Sequence, residues 1–117
     1  MNPGSDLETQ VMELIIHAGA ARSDAMEALR AARNRQWPQA EALLAEASAA
    51  ARLAHRIQTR LIGEDQGQGK IPVNLIMVHA QDHLMNAMLA RELVDEIIAL
   101  HRDIDALQRR ENHDDTL

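Results

Sequence analysis

From Leu7 onward the apolar residues Leu7, Val11, Leu14, Ala18, Ala21, Ala25, Ala28 and Ala32 recur in alternating steps of four and three, which draws one narrow stripe along a helix. Ser5 followed by Glu8 has capping-box spacing, so the pattern predicts a first helix over about 6–33. The run Asn34-Arg35-Gln36-Trp37-Pro38 breaks the periodicity, and Pro38 suits the first turn of a new helix, where its missing N–H has no partner to lose. A second stripe, Ala40, Leu43, Ala47, Ala50, Ala54, Ile57 and Leu61, marks a second helix over about 37–62. Gly63 to Lys70 is polar, rich in glycine and without period, and carries no phosphate-loop pattern; it is expected to leave the direction of the next helix open. Asn74 is placed to cap a third helix over about 74–108, whose apolar seam is Leu75, Val78, Met85, Leu89, Leu93, Ile97, Leu100 and Ile104, interrupted by Asp82. Residues 109–117 form a polar tail that is expected to fray. The whole is an all-α chain with a single three-helix domain over 1–108.

Composition sharpens that picture. The hydrophobic fraction is 46%, but much of it is alanine, with one Trp, no Tyr and no Phe, so a chain of 117 residues has a thin core. Such a chain must bring its helices close together or borrow apolar surface from other copies of itself, and oligomerisation is the expectation. Eighteen acids against 12 Lys and Arg give a net charge of −6, without a basic run or an aromatic platform, which argues against nucleic acid as a partner. The absence of cysteine removes disulfides and thiol nucleophiles and fits a reducing compartment. The N-terminal residues have no signal-peptide character and no segment reaches the apolar length of a membrane span, so a cytoplasmic protein without direct membrane insertion is expected.

The chemistry concentrates in Val78-His79-Ala80-Gln81-Asp82-His83-Leu84-Met85. A carboxylate in an apolar seam either finds a partner or meets a cation, because burying it alone is expensive. Asp82 can hydrogen-bond Asn86 four residues on; alternatively, copies meeting on a symmetry axis would gather carboxylates that suit a hard cation such as Mg2+ better than zinc. His79 and His83, also four apart, share a face beside the seam. Paired helical histidines can hold zinc, and H-x-x-D-H imitates a metalloprotease pattern, but the acid is the short Asp and no third ligand is evident. Both can equally be ordinary surface residues. A third reading makes one of them a nucleophile, since neutral imidazole accepts a phosphoryl group on a ring nitrogen. Phosphoryl transfer asks mainly for positioning and charge balance, which a small helical protein can provide with help from a partner.

This segment, with Asn86-Ala87-Met88-Leu89-Ala90-Arg91-Glu92-Leu93 after it and Ile71-Pro72-Val73-Asn74-Leu75 before it, resembles the IIA component of the bacterial sugar phosphotransferase system, lactose/cellobiose (diacetylchitobiose) type. Ile16-His17-Ala18-Gly19, Ala21-Arg22-Ser23, Ala40-Glu41-Ala42-Leu43-Leu44, Ala54-His55 and Gln58-Thr59 extend the likeness over about residues 7 to 105. The resemblance implies an antiparallel three-helix subunit assembling as a homotrimer, a nine-helix bundle. It also implies a phosphocarrier that takes a phosphoryl group from HPr and passes it to a cysteine of the IIB component during sugar uptake. By position in the motif His79 is the phosphorylated residue, and Asp82 meets its symmetry mates around a divalent cation, Mg2+ or similar. His83 is read as supporting or structural, Gln81 as a neighbour of the site, His17 and His55 as packing or interface residues, and His101 and His113 as solvent-facing. The competing class is a noncatalytic oligomerisation or regulatory module whose His and Asp side chains bind a structural metal.

Overall fold

The computed structural model describes residues 3–116, with side chains from 6 to 113. Three helices account for nearly all of it: α1 (Pro3–Arg33), α2 (Trp37–Asp65) and α3 (Leu75–Thr116). The side chain of Ser5, and with it the expected capping box, lies outside the described residues. The polar segment after residue 108 continues α3 as far as Thr116 and does not form a separate tail.

The helix ends follow their local chemistry. At the α1–α2 turn, Gln36 N–H reaches back to Ala31 O at 2.9 Å, Arg35 takes a left-handed φ of 60°, and Pro38 stands in the first turn of α2. Helix α2 closes through a left-handed Gln66 whose N–H bonds Gly63 O. Asp65 then organises the connector, its carboxylate accepting from the backbone N–H groups of Ile71 at 2.9 Å and Gly69 at 3.3 Å. The connector expected to leave α3 free in direction is therefore tied to the end of α2. Asn74 does cap α3, its Oδ1 accepting from Met77 N–H at 3.1 Å.

Contacts between the helices define the direction of each. Arg102 reaches Glu41, Arg91 Nε donates to Ser48 Oγ at 2.8 Å, and Gln58 Nε2 donates to Gln81 Oε1 at 2.6 Å, so numbers rise along α2 as they fall along α3. Helix α1 runs up, α2 down and α3 up, a single elongated bundle 72 × 23 × 20 Å in extent. Helix α1 packs along much of both partners, whereas α2 and α3 touch far less. No helix of the described residues is long and apolar enough to cross a membrane.

The core has two ends. Toward the α2–α3 connector it is filled by Val11, Leu14, Ala18, Ala21, Ala54, Ile57, Leu61, Met77, Ala80, Leu84 and Ala87. Toward the α1–α2 turn it is nearly all alanine, Ala25, Ala28, Ala31, Ala32, Ala40 and Ala47, closed by Val94 and Ile98 of α3. Both alanine stripes read from the sequence thus face inward, and small side chains let the backbones approach closely. At this end Arg35 and Arg109 both pair with the buried carboxylate of Asp105 at 3.1 Å, and Arg102 lies over the Trp37 ring at 4.8 Å.

The apolar seam of α3 read from the sequence lies on the outside of the single chain. Met77, Ala80, Leu84, Ala87, Val94 and Ile98 make the inner face of α3, while Val78, Met85, Leu89, Leu93, Ile97, Leu100 and Ile104 lie on the outside, each between 38 and 60% exposed. The rows on α1 and α2 that face the core are mostly alanine, with Val11, Leu14, Ile57 and Leu61 at the connector end, and α3 meets them with a mixture of small and large residues at 3.6-residue spacing. Its row of large apolar residues, interrupted by Asp82, points away.

Candidate functional site

Helix α3 places His79 and His83 one turn apart. Their rings stack, with centroids 5.8 Å apart and an interplanar angle of 11°. His79 is exposed, whereas His83 is half-buried against α1. The stacked rings lie alongside one another and do not converge on a common point, which is poor geometry for chelating zinc. Among the described residues no three His, Cys, Asp or Glu side chains come together to hold a metal.

Asp82 is exposed in the outward apolar row, flanked by Val78 and Met85, and its Oδ2 accepts from Asn86 Nδ2 at 3.2 Å. The local hydrogen bond expected from the spacing is present. It satisfies only part of a carboxylate's acceptor capacity. An open hollow of about 580 Å³ adjoins it, between the end of α2, the connector and α3, lined chiefly by apolar groups including Leu61, Ile62, Ile71, Met77, Val78 and Met85. Gln81 belongs to this side of α3: it lines the hollow, and its amide is held by Gln58 of α2, with Met77 Sδ 4.0 Å from its Nε2. It is therefore engaged with α2 and makes no hydrogen bond to the histidine pair.

The remaining histidines are scattered. His17 is half-buried on α1, His55 is exposed on α2 and His113 is exposed near the end of α3. His101, expected in solvent, is half-buried and lines a recess with Trp37 and Asp105. Two residues near the site escaped the sequence reading. Gly19 on α1 faces the His83 ring, and the only signal for it was a glycine in the middle of an otherwise regular helical pattern. Asp65 fixes the connector; an acid ahead of a glycine-rich stretch is the signature of such a turn.

Helix α3 thus presents the exposed imidazole of His79, stacked on that of His83, on the surface of a small all-helical subunit. The chain belongs to the lactose/cellobiose-specific IIA subunits of the phosphotransferase system, whose family model matches residues 9–102. It is 48% identical over 101 residues to the N,N'-diacetylchitobiose-specific EIIA component of the Escherichia coli K12 phosphotransferase system, a match covering 86% of this chain and 87% of that protein. Its fold is similar to the crystal structure of the cellobiose-specific enzyme IIA from Bacillus anthracis, with a TM-score of 0.82 and 37% identity over 91% of this chain and 94% of the other. It is also similar to the IIA(chitobiose) chain in solution structures of the IIA(chitobiose)–HPr complex of Escherichia coli, with a TM-score of 0.74 and 47% identity over 85% and 96% of the two chains.

Proposed function

We propose that this IIA subunit is a cytoplasmic phosphocarrier in which His79 accepts a phosphoryl group from phospho-HPr and passes it to a cysteine of a IIB component during sugar uptake. The observation that carries this reading is the exposed His79 ring, held in a stack on the longest helix of a IIA-family chain. A relative with 47% identity is described in complex with HPr, which supports HPr as the donor. In the first step a ring nitrogen of His79 forms a bond to phosphorus as the N–P bond of the donor phosphohistidine breaks. In the second, a thiolate takes the phosphoryl group and the imidazole leaves. Charge is spread over the transferring oxygens, so the protein's task is to present the nucleophile in line and leave space for the donor; an exposed ring at a helix surface does both. A relay of this kind loads and unloads at comparable free energy.

The outward row of α3 supports assembly as a homotrimer, a nine-helix bundle with the three α3 helices at its centre. Contiguous large apolar residues at steps of three and four are the pattern of a helix that packs against copies of itself. Asp82 sits near the start of that row, and a three-fold axis would bring three carboxylates together. Their oxygens suit a hard divalent cation such as Mg2+, which would offset the repulsion between them.

The reading is tested by intact mass after incubation with phosphoenolpyruvate, enzyme I and HPr, with wild type beside His79→Gln. Gain of one acid-labile phosphoryl group by wild type alone is expected. No gain in wild type, with the general proteins shown active on another acceptor, would overturn it.

A further inference from the structure

Gly19 is half-buried in the middle of α1, where glycine costs about 1 kcal/mol of helix propensity relative to alanine. A Cβ built there would meet Nε2 of His83 at 3.4 Å, ordinary van der Waals contact, and a longer side chain pointing the same way would run into the ring. The ring of His83 therefore rests close against the backbone of α1. It is also the ring on which His79 stacks, nearly parallel at 5.8 Å. A line of contact runs from the α1 backbone through His83 to the exposed imidazole of His79. Without that brace, a histidine on an open helix face is free to exchange rotamers.

We propose that Gly19 and His83 are positioning residues for His79: α1 seats the His83 ring, and the stack holds the imidazole of His79 in the orientation from which it attacks phosphorus. The proposal rests on the reading of His79 as the phosphoryl acceptor. His83 forms no bond to phosphorus and exchanges no proton in this scheme. Its contribution is orientation, which matters because misplacing a nucleophile by about 1 Å can cost ~100-fold in rate.

The test is rapid-quench measurement of phosphoryl transfer from phospho-HPr over a range of donor concentrations. The proteins are wild type, His83→Ala, His83→Phe, Gly19→Ala, Gly19→Leu and the double variant Gly19→Leu/His83→Ala, with helicity and assembly checked by circular dichroism and sedimentation. His83→Ala is expected to lose about tenfold or more in maximal rate with the donor KM little changed. His83→Phe, which keeps a flat ring in the seat, and Gly19→Ala, which fits the available room, stay close to wild type. Gly19→Leu is slowed like His83→Ala, and the double variant is no slower than either single one, since both act through the same ring. A wild-type rate in His83→Ala would overturn the proposal, and so would a His83→Phe protein that is folded but as slow as His83→Ala, because the ring nitrogens would then be what matters. Should Gly19→Leu fail to fold, the Ala and Phe substitutions at His83 still decide the matter. Failure of wild type to accept a phosphoryl group, or acceptance by His79→Gln, would remove the underlying reading itself and is distinguishable from these outcomes.

Discussion

The two faces of α3 carry apolar residues to different ends. The inner face, with Met77, Ala80, Leu84, Ala87, Val94 and Ile98, mixes small and large side chains and is almost fully buried within one chain. The outer face is more uniformly large, from Val78 through Leu89 and Leu93 to Ile104, and about half of each side chain stays open. A helix that only closed its own bundle would be polar on the outside. The difference teaches that aliphatic size along a sequence reports total demand for burial, not which partner supplies it. It also gives Asp82 its meaning. On an inner face it would be a costly defect, while on the outer face it would meet its own copies in the proposed trimer.

The comparison can be broken most severely from the outside. Replacing Leu93 and Ile97 together with Asp places two charges in the proposed assembly seam. Sedimentation should then report a monomer in place of a trimer, with the helical circular dichroism signal retained. A trimer that survives this change would refute the role given to the outer face. On the inner face Leu84 is completely buried, and Leu84→Ala is expected to lower subunit stability by about 2–5 kcal/mol in urea unfolding. Against it, Leu89→Ala measured on the monomeric Leu93/Ile97 background should change stability by only ~0.5 kcal/mol or less, because its side chain is already half in solvent there.

Two smaller effects sharpen the contrast. Asp82→Leu should make assembly indifferent to chelation of divalent cations and at least as stable as wild type, while His79 still accepts a phosphoryl group. Loss of acceptance from an intact trimer would count against separate roles for the two residues. Asn74→Ala removes the side-chain cap at the start of α3 and should cost about 1 kcal/mol, read as a shift in the urea midpoint with no change in oligomeric mass.

Much of the site could be read before the fold was seen. His79 and Asp82 stood out because titratable groups interrupt an otherwise apolar stretch, and a local motif of that kind survives any packing. The Asp82–Asn86 hydrogen bond followed from four-residue spacing alone. What could not be read was lateral. The setting of Gln81 against Gln58, the placing of half-buried His101 in a recess with Trp37, and the approach of His83 to Gly19 each join residues on different helices, and no spacing within one helix encodes them.

The sequence by itself determined three helices, the position of the α1–α2 break, the first-turn Pro38 of α2, the Asn74 cap of α3 and the inward alanine stripes of α1 and α2. These depend on propensity and periodicity, which act over a few residues. Only the tertiary structure decided which face of α3 serves the chain's own core. That choice depends on the rows presented by α1 and α2: walls rich in alanine, joined by Leu14 and Ile57 at the connector end, accept the mixed face with Leu84 and Ala87, and the broad aliphatic face, with its single acid, is turned outward.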